Sequence, residues 1–91
     1  MKRDRTTHMR YVDRNGNDIS FDQFCRMTDE RVAVTKMDRC TVSTVWVGVD
    51  VGDGGIFETA LLVGGDVEDS ERYATELDAV RGHLRWVARF S

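Results

Sequence analysis

The side chains of this chain that could do chemistry are few and widely spaced. Asp50, Asp53, Glu58 and His83 form the one set able to approach the several converging ligands that a metal needs. Asp50 and Asp53 flank glycines, however, and read first as turn formers that bond their own backbone. The segment also lacks the ligand spacing of an EF-hand, so neither a metal nor a cofactor is expected. Glu58 stands between Phe57 and Thr59 in an apolar run, where a carboxylate must face water or be paired. Two readings stay open for it. It is the solvent-facing residue of an amphipathic strand with arginine partners, or a recognition or acid–base carboxylate working with His83. His83 lies beside Val80 and Leu84 and reads as a boundary histidine bonded to a sheet, with no serine or cysteine in a nucleophile motif beside it. The glycines of residues 48–55 have no Walker spacing and no following Lys-Ser/Thr. Trp46 and Trp86 read as core or interface aromatics. No catalytic residue is assigned and the chain is not expected to be an enzyme; the candidate contacts for a ligand or partner are Trp46, Asp50, Glu58, Tyr73 and His83.

Those residues are carried by a chain of 91 residues, enough for one domain near the lower size limit for a self-sufficient core. At 41% hydrophobic and 32% charged it has the composition of an ordinary globular protein. Residues 1–10 are polar enough for a frayed tail, leaving 11–91 as a single domain, and the tail's Lys2, Arg3, Arg5 and Arg10 read as solvated cations. A net charge of −3 argues against sequence-independent nucleic-acid binding, which needs a basic face. No apolar run is long enough for a bilayer span and nothing resembles a signal peptide, so a cytosolic location is expected. Cys25 and Cys40 are not in CxxC spacing and read as reduced, partly buried thiols, although a disulfide between them stays open.

Residues 41–65 hold the clearest local signal, two runs of β-branched and aromatic residues around Asp50–Gly55. That is a hairpin pattern, with strands at 40–49 and 56–63. In the first strand Val42 and Trp46 point one way while Val45, Val47 and Val49 point the other, so the strand is covered on both sides or forms an interface. Earlier come a short strand at 11–13, an Asn15-Gly16 turn, and a helix over about 20–29 that opens on a Ser20/Gln23 capping box and docks by Phe21, Phe24 and Cys25. Alternation at 31–37 gives another strand, and Gly64–Asp69 reads as an acidic loop. Thr75 caps a long C-terminal helix whose Leu77, Val80, Leu84 and Val87 form a core stripe at 3, 4, 3 spacing, widened by Trp86 and Phe90. The order is β-α-β-β-β-α. The expected fold is α+β: an antiparallel sheet of about four strands with the long helix across one face. Leu77, Val80, Leu84, Trp46 and Val47 are its expected buried residues.

The segments YVDRNGNDIS at 11–20, VSTVWVGVD at 42–50, IFET at 56–59 and RYAT…A…GH at 72–83 together resemble a group of small uncharacterised proteins of actinobacterial phages and prophages. Members of that group read like STVWLGLDH…FET…YAT…A..GH, and the likeness spans nearly the whole chain. Val51 stands where the group often has His, and the loop that follows is shorter, so no role attached to that His carries over. The resemblance implies a phage accessory protein working in the host cytoplasm.

On these grounds the leading expectation is a non-enzymatic protein that acts by binding, modulating or inhibiting a host protein. The alternative is a small-ligand protein that sequesters a nucleotide signal in a pocket lined by Trp46, Glu58, Tyr73 and His83. A hydrolase would need Glu58 and His83 within hydrogen-bond reach. If both helices cover one sheet face, the other is left open, and a homodimer through that face or an edge strand is expected.

Overall fold

The computed structural model describes residues 9–91; Lys2, Arg3 and Arg5 of the expected tail lie outside the described residues. Strands β1 (Arg10–Val12) and β2 (Asp18–Ile19) precede helix α1 (Phe21–Arg26). Strands β3 (Arg31–Lys36), β4 (Thr41–Trp46), β5 (Val49–Asp50), β6 (Phe57–Val63) and β7 (Asp66–Tyr73) follow, and helix α2 (Glu76–Phe90) ends the chain. A four-stranded sheet runs β3-β4-β6-β7 and a three-stranded one β2-β1-β5, with every pairing antiparallel. The fold is α+β.

The hairpin signal at 41–65 is realised with one change. Trp46 pairs with Phe57 and Thr41 with Leu62, but the first strand does not run on to Val49. Gly48 breaks it at φ 79°, where any Cβ would meet the rings of Trp46 and Phe24. Val49–Asp50 leaves the large sheet and pairs with β1 instead. Arg10 is therefore in a strand rather than a tail, bonded through its guanidinium to Asp18 and Asp50.

The expected acidic loop at 64–69 is mostly a strand. Gly64 and Gly65 take φ of 60° and 90°, the two positive values of a type I′ turn, and return the chain as β7 along β6. An edge strand needs only its backbone ladder, and its charged side chains face water, so the acidic composition was no obstacle.

Both helix starts follow their caps. Ser20 and Gln23 form the reciprocal capping box, and Thr75 accepts from the Asp78 amide. The faces differ from expectation. On α1 no residue is buried; Phe24 packs against Trp46 while Phe21 is 60% exposed. Cys25 is exposed, Cys40 is half-buried, and both are free thiols.

On α2 the buried residues are Ala79, Gly82, His83 and Trp86, whereas Leu77, Leu84 and Val80 are 59%, 63% and 39% exposed. The leucine stripe is thus not the core stripe. The helix docks through small residues that let its backbone come close, and the Tyr73 ring fills the space over Gly82. A Cβ at Gly82 would sit inside that ring. Gly82→Ala gains about 1 kcal/mol of helix propensity, but it must push aside a buried ring held by Glu71, an overpacking cost of about 1–3 kcal/mol. The net expectation from denaturant melts is a variant no more stable than wild type, with the deficit removed in the Tyr73→Leu background.

The core has two parts. Val12, Trp46, Ile56, Phe57, Tyr73 and Ala79 cluster at one end, and Val42, Leu61 and Trp86 at the other. Trp46 is buried as expected and Val47 is half-buried. Trp46 meets Phe24 of α1 on the face where Thr44 meets His83 of α2, so both helices lie on one side of the large sheet.

Candidate functional site

The polar groups under α2 are committed to one another. His83 is 3% exposed; its Nδ1 is 2.8 Å from Thr44 Oγ1 and its Nε2 is 2.9 Å from Thr35 Oγ1. A neutral imidazole has one donor and one acceptor, and threonine hydroxyls can serve both. Thr44 in turn bonds the buried Thr59, and burial pushes the His83 pKa below its ordinary value. Tyr73 donates to Glu71 Oε1 at 2.8 Å, and burial raises its pKa. Trp46 donates through Nε1 to the Val12 carbonyl at 3.0 Å.

Glu71, which no sequence pattern marked, is the polar hub of this side. It accepts from Trp86 Nε1, Tyr73 Oη and Arg85, and these donors, Trp86 first, lower its pKa. Its signal was available only as a carboxylate facing inward across an edge strand.

Asp50 is a turn former. Its Oδ1 accepts from the Gly52 and Gly54 amides and its Oδ2 from Arg10, so its pKa lies below the usual carboxylate range, the Gly52 amide being the main cause. Asp53 does the same on a smaller scale, accepting from the Gly55 amide.

Glu58 lies elsewhere. Strand alternation sends Phe57, Thr59 and Leu61 under α2 and turns Glu58, Ala60 and Leu62 to the opposite face. There Glu58 Oε2 is 3.9 Å from Arg72 Nε, its cross-strand neighbour. Of the candidate contacts, the structure brings Trp46, Tyr73 and His83 to one side in structural bonds and leaves Glu58 on the other. Glu58 and His83 cannot exchange a proton through a sheet. The pocket expected from Trp46, Glu58, Tyr73 and His83 is not formed either. Among the described residues no three His, Cys, Asp or Glu side chains gather into a metal-binding group.

The opposite sheet face is the uncommitted surface. The pairings place three rows across it: Lys36–Thr41–Leu62–Val67, Val34–Ser43–Ala60–Ser70, and Arg31–Val45–Glu58–Arg72. Val34 is 41% and Val67 63% exposed, with Val45, Ala60 and Leu62 half-buried, and neither helix covers them. Beyond Val34 the middle row consists of the small residues Ser43, Ala60 and Ser70. At its β3 end lies a depression between the Thr28–Arg31 segment and Val34, Ser43 and Val45. At its other end stands the β7 edge with Asp66, Glu68 and Asp69 exposed. Alternation in β4 already assigned Val45 to this face; which face the helices would leave open was not readable. No helix among the described residues is long and apolar enough to cross a membrane. No family model matches this chain, and neither a curated protein nor a solved structure is similar to it.

Proposed function

We propose that this protein works by binding another protein, without a chemical step of its own, through the open face of the four-stranded sheet. The observation that carries this reading is the contrast between the two faces. Under α2 every candidate polar group is tied into a structural bond, whereas the other face offers Val34, Val45, Ala60, Leu62 and Val67 to whatever approaches. Apolar surface with a charged rim is what a protein partner covers. The acidic β7 edge and the Asp29–Glu30 lip favour a partner that presents an apolar residue flanked by lysine or arginine. The resemblance to actinobacterial phage proteins supports a reading in which that partner belongs to the bacterial host, where an acidic ligand would compete for a basic site and so modulate or inhibit its owner.

The test is capture from host lysate with wild-type bait beside a Leu62→Glu bait. Leu62 is half-buried on the open face, so the charge should leave the fold intact, as an unchanged circular dichroism melt verifies. A host protein held by wild type at micromolar bait and lost by Leu62→Glu is the expected result. Equal capture by both baits, or no capture by either, overturns the reading.

A further inference from the structure

We infer that Arg14 is a positioning residue for the open sheet face: its guanidinium fixes the Thr28–Arg31 segment, the acidic lip of the depression beside Val34, Ser43 and Val45. The inference rests on the proposed binding role of that face and adds what holds the lip in shape for a partner. Asp29 and Glu30 are exposed, and the segment leads out of α1, a helix with no buried residue. Packing reaches it from Met27 before and Val32 after. Between those two anchors, order has to come from hydrogen bonds to the backbone.

Three consecutive carbonyls supply them. The Glu30 carbonyl accepts from the Trp46 amide at 2.6 Å, on the β4 side. In extended chain the carbonyls before and after it point the other way, out past the edge of the sheet. Arg14 meets them there: Nη1 donates to the Asp29 carbonyl at 3.3 Å and to the Arg31 carbonyl at 3.2 Å. The other side of the guanidinium is taken by α2. Nε donates to Glu76 Oε1 and Nη2 to Glu76 Oε2, both at 3.0 Å. This use of both edges of the group needs its rigid planar fork; a lysine ammonium is a single point of donors and cannot span the two sets.

Arg14 is itself held by the turn that carries it. Asp13 Oδ1 accepts from the Asn15 and Asn17 amides, both at 2.9 Å, and the Gly16 amide donates to the Asp13 carbonyl at 3.1 Å. Gly16 closes the three-residue loop at φ 91°, the left-handed position such a hairpin requires. The latch therefore joins the β1–β2 turn, the lip and the first turn of α2, stretches far apart in sequence. Its use to the face is preorganisation. Two adjacent exposed carboxylates on a loose segment would have to be ordered when a partner docks, and that ordering weakens binding.

Amide hydrogen exchange and backbone relaxation, both read by NMR on the free protein, test the latch without a partner. Trp46 N–H is the reporter, since its acceptor is the Glu30 carbonyl. Arg14→Lys keeps a charge without the fork and Arg14→Ala removes both; each should speed Trp46 exchange at least about tenfold, while the amides of β6, a strand paired on both sides, keep their wild-type rates. Order parameters at residues 29–31 should fall from the rigid value of about 0.85 toward about 0.6. Glu76→Gln should move the same groups by a smaller factor. If Arg14→Ala does not fold, Arg14→Lys and Glu76→Gln carry the test. An unmoved lip, a rise shared equally by β6, or wild-type behaviour in Arg14→Lys overturns the inference and leaves the proposed face standing. In the lysate capture, Arg14→Lys should hold at least about tenfold less of the protein that wild type holds. Equal capture by a variant with a loosened lip overturns the positioning role alone. No capture by wild type counts against the proposed face itself, and this role falls with it.

Discussion

Trp86→Ala is expected to lower the free energy of unfolding by about 3–5 kcal/mol. The ring is 6% exposed and packs with Val42 and Leu61, with Val87 and Phe90 at its margin. Its Nε1 also donates to Glu71 Oε1 at 2.8 Å, so truncation leaves a cavity and removes one of the donors that hold the hub carboxylate. For a domain this small the whole of stability is about 5–15 kcal/mol, and each kcal/mol is about 4–8 °C in Tm. The fall in Tm should therefore be large enough to read in a single thermal scan. Leu84→Ala is the paired measurement, made on dilute protein where one-chain mass is observed. Leu84 is 63% exposed, and a surface truncation of this kind stays within about 0.5 kcal/mol. Equal losses at the two positions would show that the docking face of α2 is wrongly identified.

That pair of residues also shows where sequence reading stops. Capping is decided within four residues, and the Ser20–Gln23 box and the Thr75 cap formed where the pattern put them. The β4–β6 pairing and the turn-forming use of Asp50 were legible for the same local reason. The face of α2 was not, because the helix carries two stripes at helical spacing. Leu77, Val80 and Leu84 form the more hydrophobic one, yet Ala79, Gly82, His83 and Trp86 are buried. The choice between them was made by Tyr73, whose ring needs the room that only Gly82 leaves, a contact between a strand and a helix that no window of sequence contains. β7 was hidden by its charges, and Glu71 with it. The open sheet face was half legible: alternation separated Val45 from Trp46, but only the docking of both helices on the Trp46 side decided which face stays bare.

Stability is expected to fall as pH drops from about 7.5 to 5, and the buried His83 should account for the fall. In the folded protein burial between Thr35 and Thr44 holds its pKa below the ordinary value of 6.5, whereas the unfolded chain titrates near that value. Between the two the unfolded state binds the extra proton, so unfolding is favoured by acid. The contribution of His83 is complete above about pH 6.5 and is lost as pH falls toward the folded pKa, at up to about 1.4 kcal/mol per pH unit. The physical cause is the hydrogen-bond arrangement: an imidazolium would be a charge with two donors in a site that solvent scarcely reaches. Asp50 and Glu71 have lowered pKa values and the same sign, but their stabilisation is lost only below their ordinary values of 3.8 and 4.5, so they leave the window above pH 5 to histidine. The chain has one other histidine, His8, outside the described residues, and His83→Gln separates the two. Urea melts at pH 5, 6, 6.5 and 7.5 should show a slope for wild type and a nearly flat line for His83→Gln. A variant that keeps the wild-type slope would assign the titration to another group, and a wild type more stable at pH 5 than at 7.5 would mean that the site accepts the charged ring.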